Sequence, residues 1–166
     1  GDVSSSRPIH FHDSSGFNRK VISLDAAALK WRNVICHYCN TARTQPHDRA
    51  WEELHSALRD RLPTLRDGSV VPASRMLPQD TTRKMLGVHL YFVKAFGCTI
   101  AMEKAPLDMG PFARAIMTGK AHPEFYLNFG LATGVRVPLI EASPIRILPN
   151  PDGTLAQATW FYGIDG

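Results

Sequence analysis

The residues best equipped for chemistry lie between positions 34 and 48, V-I-C-H-Y-C-N-T-A-R-T-Q-P-H-D. Cys36 and Cys39 stand at Cys-x-x-Cys spacing, which a tight turn leaving a strand uses to point two sulfurs the same way. Two thiolates make half of a tetrahedral zinc shell. Cys98 is the other cysteine in the chain, so the remaining ligands would have to be histidines, carboxylates or groups from another polypeptide. The same spacing occurs in redox motifs, but His37 and Tyr38 between the cysteines and the lack of a βαβ pattern argue against a thioredoxin-like role. Asn40 follows at once. Its amide oxygen is an acceptable ligand for a hard cation such as Mg²⁺, or the residue simply caps the turn, since Asn tolerates left-handed backbone. Upstream, His10 and His12 share a face if their segment is extended; they form either a metal-binding or proton-accepting pair or two surface histidines beside a turn. Lys20, Arg43 and Arg49, with Arg59, Arg61 and Arg66, could follow a phosphate backbone, or could form a solvated face. His89, inside an apolar run, reads as a core or edge histidine with its bonds satisfied.

These residues need a scaffold, and the hydrophobic pattern outlines one. Two short strands are expected on either side of the turn at residues 13–16, the first over 8–13. A helical turn follows over 25–30 and a strand over 31–35, which delivers the cysteines. Asp48 is expected to cap a helix over 49–62, whose Trp51, Leu54, Ala57, Leu58 and Leu62 form one stripe. Val70 and Val71 form a possible short strand. A second helix over 82–96, capped by Asp80 or Thr81, is apolar on more than one face and is expected to be the central core helix, with Gly97 as its stop. Its Leu86, Leu90 and Val93 are expected to pack on Trp51, Leu54 and Leu58. Cys98 to Met102 continue either as helix or as buried strand. Asp108 precedes a short helix over 111–117 closed by Gly119. From Phe125 onward the period changes to two, with Phe125, Leu127 and Phe129, then Ile145 and Ile147, and a return strand over 158–162 across the turn at 149–153. Trp160, Phe161 and Tyr162 read as sheet packing, or as a base-stacking surface if exposed. The fold class expected is α+β in a single domain: a flexible lead-in over 1–7, the cysteine-bearing region over 8–62, and a helical and antiparallel β extension over 63–166.

Bulk composition narrows the function classes. A chain of 166 residues with 44% hydrophobic and 20% charged residues can bury a core. A net charge of +4 permits nucleic-acid binding without demanding it. No stretch of about 18 consecutive apolar residues and no signal-peptide pattern occurs, so neither a membrane span nor a membrane partner is expected. Cysteine usage fits a reducing compartment, with the cytoplasm as the default. The chain opens at Gly1 without an initiator Met and stops just after an aromatic run, as a processed or partial chain would.

The run I-C-H-Y-C-N-T-A-R resembles the second half of an HNH endonuclease, where a strand leads into Cys-x-x-Cys-(Asn/His)-x-x-(Lys/Arg) and then into the helix of the ββα-metal fold. The continuation T-Q-P-H-D-R-A-W-E-E-L is similar to bacterial HNH-like proteins that follow the knuckle with Ser/Thr-x-Pro-x-Asp and an amphipathic helix. The similarity covers about residues 30–58. It implies that Cys36 and Cys39 hold a structural Zn²⁺, that Asn40 helps hold a catalytic Mg²⁺ or other divalent ion, and that Arg43 sits near phosphate. Such nucleases carry an earlier Cys-x-x-Cys and an Asp/Glu-His pair whose His is the general base. Here the residues at about that distance are His10, His12 and Asp13, in the order His-x-His-Asp. The function implied is hydrolysis of DNA phosphodiesters by a complete or degenerate HNH-like endonuclease; the alternative is a non-catalytic, zinc-stabilised module binding nucleic acid or protein. With two strong zinc ligands in the knuckle and the general base displaced, substoichiometric zinc and little cleavage are expected.

Overall fold

The computed structural model describes residues 9–13, 16–23, 26, 34–66, 68, 70–130, 140–142, 145–159 and 162–164. The expected helical turn over 25–30, most of the strand over 31–35, and Trp160 and Phe161 lie outside the described residues. The fold is mixed α/β and mostly helical, and it gathers into two compact units.

The first unit takes in residues 1–34, 98–107 and 130–166. Its strands β1 (Ile9–Asp13) and β2 (Gly16–Val21) form the antiparallel hairpin that the turn residues call for. His10 pairs with Lys20, and the register shifts between Phe11 and Asp13, so His12 falls at the irregularity. The C-terminal part gives two further antiparallel pairs. Strand β3 (Ile140–Ala142) runs beside β6 (Tyr162–Ile164), and β4 (Arg146–Pro149) beside β5 (Leu155–Thr159). The turn joining β4 to β5 is closed by Asn150 N–H donating to Thr154 O at 2.7 Å, with Gly153 at φ +81°. Asp152 Oδ1 accepts from both the Thr154 hydroxyl and its backbone N–H, and these bonds lower the Asp152 pKa.

The second unit takes in residues 35–97 and 108–129. Helix α1 (Gln45–Arg61) ends in a 3₁₀ turn at Leu62–Thr64 where Pro63 stops it; α2 (Ala73–Met76) is a single turn. Helix α3 (Thr81–Glu103) begins in this unit, and α4 (Gly110–Thr118) completes it. Asp108 Oδ1 accepts the Gly110 N–H at 2.8 Å before α4, and Gly119 at φ +65° closes it, as the sequence predicts.

Several expectations change. Asp48 does not cap α1, which starts three residues earlier at Gln45 behind Thr44. Asp48 instead lies in the first turn and takes a hydrogen bond from Lys94 Nζ. Gly97 does not end the second helix, because α3 runs on through Cys98 to Glu103. A Cβ at Gly97 would lie 3.5–3.8 Å from Met109 and Phe112, at ordinary contact distance. Residues 125–129 form no strand. Their aromatic rings pack on helices, Phe125 against Phe96 and His89, and Phe129 against Trp51. Val70 and Val71 are likewise outside any strand.

Helix α3 is the core helix, and it is gripped along two rows. Leu90 and Val93 are buried with Ala115, flanked by Leu86, Phe112, Ile116 and Phe125; this row faces α4 rather than the α1 stripe expected from the sequence. Another row carries Gly87, Tyr91 and Phe92 towards α1. Trp51 stacks on Tyr91 with ring centroids 5.7 Å apart and meets the edge of Phe92 at 4.8 Å. By length and composition α3 could cross a membrane, yet more than half of its apolar stretch is buried inside the protein. Such burial is that of a core helix.

Candidate functional site

The chain enters the second unit through Val34 and Ile35, which are bends, and turns helical at His37. The cysteines therefore sit at the opening of a helical segment and not on a strand-to-turn corner. Asn40 N–H donates to Cys36 O at 3.0 Å, an ordinary i→i+4 bond; Thr44 N–H then reaches back to Cys39 O at 3.1 Å, an i→i+5 bond. Residues Cys39–Arg43 thus form a widened π-helical turn, a feature frequent at functional sites. Thr44, fully buried, anchors its end: its hydroxyl donates to Asn40 O at 3.2 Å, and Lys94 Nζ donates to that hydroxyl at 3.2 Å.

This backbone brings the two sulfurs together. Cys36 is exposed and Cys39 half-buried, and neither is in a disulfide. Cys39 N–H donates to Cys36 Sγ at 3.2 Å. The neighbouring Cys39 side chain, with the Cys39 N–H and the charge of Arg43, lowers the Cys36 pKa. The Cys39 pKa is raised by the neighbouring Cys36 and by desolvation. The arrangement is asymmetric, with negative charge favoured on Cys36.

The remaining predicted residues divide. Arg43 is near the sulfurs: its guanidinium lies 5.8 Å from the centre of the Tyr38 ring and donates to Met117 Sδ. The Asn40 side chain is exposed, and among the described residues it has no hydrogen-bond partner. Arg49 is exposed on α1. Lys20, also exposed, belongs to the first unit with His10 and His12, whose side chains lie outside the described residues. Among the described residues no group of three or more His, Cys, Asp or Glu gathers as a metal shell. The cysteine pair fits half of a zinc shell by donor chemistry.

Nothing in the residue pattern signals the pairing between His89 and His122. His122 N–H donates to His89 Nε2 at 3.0 Å, and Glu124 N–H donates to His122 Nδ1 at 3.2 Å. Each ring is thus an acceptor at one nitrogen and neutral, with burial lowering both pKa values. His89 is the satisfied edge histidine expected of its apolar helix. No family model, curated protein or solved structure matches the chain.

Proposed function

We propose that the segment from Cys36 to Arg61 is an HNH-like, zinc-stabilised module that binds DNA without cutting it efficiently. The observation that supports this is the hydrogen bond from the Cys39 N–H to Cys36 Sγ, which draws the two cysteines together at the head of a helical segment that carries Arg43 and Arg49. The two thiolates would hold Zn²⁺ together with ligands from elsewhere in the chain or from a partner. Arg43 and Arg49 would meet phosphates; Lys20, on the β1–β2 hairpin, is a separate candidate phosphate contact. Phosphate contacts of this kind give affinity that falls steeply with salt. A reducing compartment such as the cytoplasm suits exposed thiols.

A second reading, retained cleavage, draws on the order of elements: an antiparallel hairpin bearing His10 and His12 precedes the cysteine pair and its helix, as in the ββα-metal arrangement. There His12 or His10 would accept the proton of the attacking water, and the Asn40 amide oxygen would help hold Mg²⁺.

One set of assays separates these readings. Zinc content of the reduced chain, DNA binding at two salt concentrations, and nicking of supercoiled plasmid with Mg²⁺ or Mn²⁺ are measured on the same preparations. The binding reading expects substoichiometric zinc that disappears in Cys36→Ser and Cys39→Ser, salt-sensitive DNA binding weakened in Arg43→Ala, and little nicking. Zinc uptake unchanged in both cysteine variants would overturn the metal assignment. Robust nicking that is lost in His12→Ala or His10→Ala and in Asn40→Ala would replace binding with catalysis.

A further inference from the structure

Zinc binding asks only that two sulfurs face one way, but the Cys36–Cys39 pair shows more than that. The Cys36 sulfur accepts the Cys39 N–H at 3.2 Å, so the backbone folds the second cysteine back onto the first before any metal is considered. Residues three apart in a helical opening have Cα atoms about 5 Å apart, inside the span of about 4.4–6.8 Å that a disulfide bridges. The pair can therefore close without the chain moving far.

The two thiols are also unequal in access and in surroundings. Cys36 is exposed and Cys39 half-buried, so an incoming molecule meets Cys36 first. Of the two sulfurs, that of Cys36 takes the Cys39 backbone N–H. Cys98 is buried in α3 and offers no competing surface thiol.

We propose that Cys36 is the attacking thiol of a dithiol that exchanges with accessible disulfides of the glutathione type, and that Cys39 resolves the product. In the first step the Cys36 sulfur attacks one sulfur of the small-molecule disulfide. A Cys36–S–S–R bond forms, the original S–S bond breaks, and one thiolate leaves, taking up the Cys36 proton. In the second step Cys39 attacks the Cys36 sulfur, the mixed disulfide breaks, and the second small thiol leaves with the Cys39 proton. The cysteine pair is oxidised by two electrons and the small disulfide is reduced by two. His37, Tyr38 and the missing βαβ pattern speak against a thioredoxin-like role; the requirement met here is local, a helical opening that holds one exposed and one sheltered cysteine side by side. The inference does not depend on the metal reading, although a closed disulfide would withdraw both sulfurs from zinc.

The test uses the full reduced chain with chelator present. It is mixed with glutathione disulfide, quenched with acid at intervals, and followed by intact mass and peptide mapping. The wild-type chain is expected to form a Cys36–Cys39 disulfide with little mixed disulfide accumulating. Cys39→Ser should stop at glutathione attached to Cys36, and Cys36→Ser should react at least about 10-fold more slowly. Cys98→Ser should behave as wild type. Circular dichroism confirms that each variant is folded, and Cys36→Ala and Cys39→Ala repeat the comparison without a polar replacement. A pair that stays reduced in excess glutathione disulfide overturns the proposal, as does capture by the Cys36 variants at the wild-type rate. Zinc uptake by the same reduced chain without chelator is scored separately, so exchange without zinc uptake sinks the metal reading alone, and zinc uptake without exchange sinks this one alone.

Discussion

Lys94 shows how one side chain ties the site to the core. It is 5% exposed, and its ammonium group is held by Asp48 and by the Thr44 hydroxyl, the residue on which the π-helical turn ends. A buried charge that loses its partner is left without solvation, and removing one member of such a pair typically costs about 3–5 kcal/mol. Asp48 is the more exposed partner, with 30% of its side chain accessible against 4% for Lys94, so the two deletions should be unequal. Asp48→Ala, which strands the ammonium, should lower stability by about 3 kcal/mol. Lys94→Met, which keeps the apolar stem and leaves a carboxylate that water can reach, should cost clearly less. Urea denaturation of both variants checks the order, and equal losses would mean that Lys94 is not the buried partner. Nothing in the sequence singled out Lys94: an ammonium among apolar neighbours reads as the polar edge of a helix until a carboxylate 46 residues away is placed beside it.

Among the elements, the packing of α3 carries the clearest expectations. A Cβ at Gly87 would lie 2.8 Å from the Ala50 Cβ, so α1 and α3 approach closely at that point. Gly87→Ala gains helix propensity but must push the helices apart, and overpacking of this kind costs about 1–3 kcal/mol; a net loss in thermal unfolding is the expected result. Leu90, 1% exposed, lies in the other row, and Leu90→Ala should cost about 2–5 kcal/mol. Helix α3 was legible as the core helix because its apolar residues surround more than one face, and α4 because Asp108 and Gly119 mark its ends. Which row meets which neighbour was not legible. Leu86, Leu90 and Val93 are interchangeable with Tyr91 and Phe92 as apolar surface, and Gly87 shows its purpose only once Ala50 lies opposite it. The same limit explains residues 125–129. Alternating aromatics imply a strand when a partner strand exists; here helices supply the apolar surface instead.

For the whole molecule, acidity discriminates folded from unfolded chains. His47, His55, His89 and His122 all have pKa values lowered in the fold, each mainly by burial. The unfolded chain therefore takes up protons first as pH falls through the reference value of about 6.5. By linkage their contribution is fully present above that value and is lost as pH drops towards the lower folded values. Unfolding midpoints should fall between about pH 7 and pH 5, and His89→Gln should flatten part of that slope; a midpoint independent of pH across this range would remove the histidines from the account. The cysteine site was readable from spacing alone, but its helical setting was not, because the i→i+5 bond from Thr44 to Cys39 leaves no mark in hydrophobic period. That bond has an angular consequence. The widened turn accommodates one residue more than an α-helical turn, and each residue of an α-helix advances the chain by roughly 100°. Because the wide turn absorbs that extra residue, deleting one from it, such as Ala42, would let the segment run straight into α1 with Cys36 and Cys39 facing nearly the same way, whereas a deletion inside the regular part of α1 would swing them by about that angle around the helix axis. The turn thus shields the direction in which the two sulfurs look from a change of one residue.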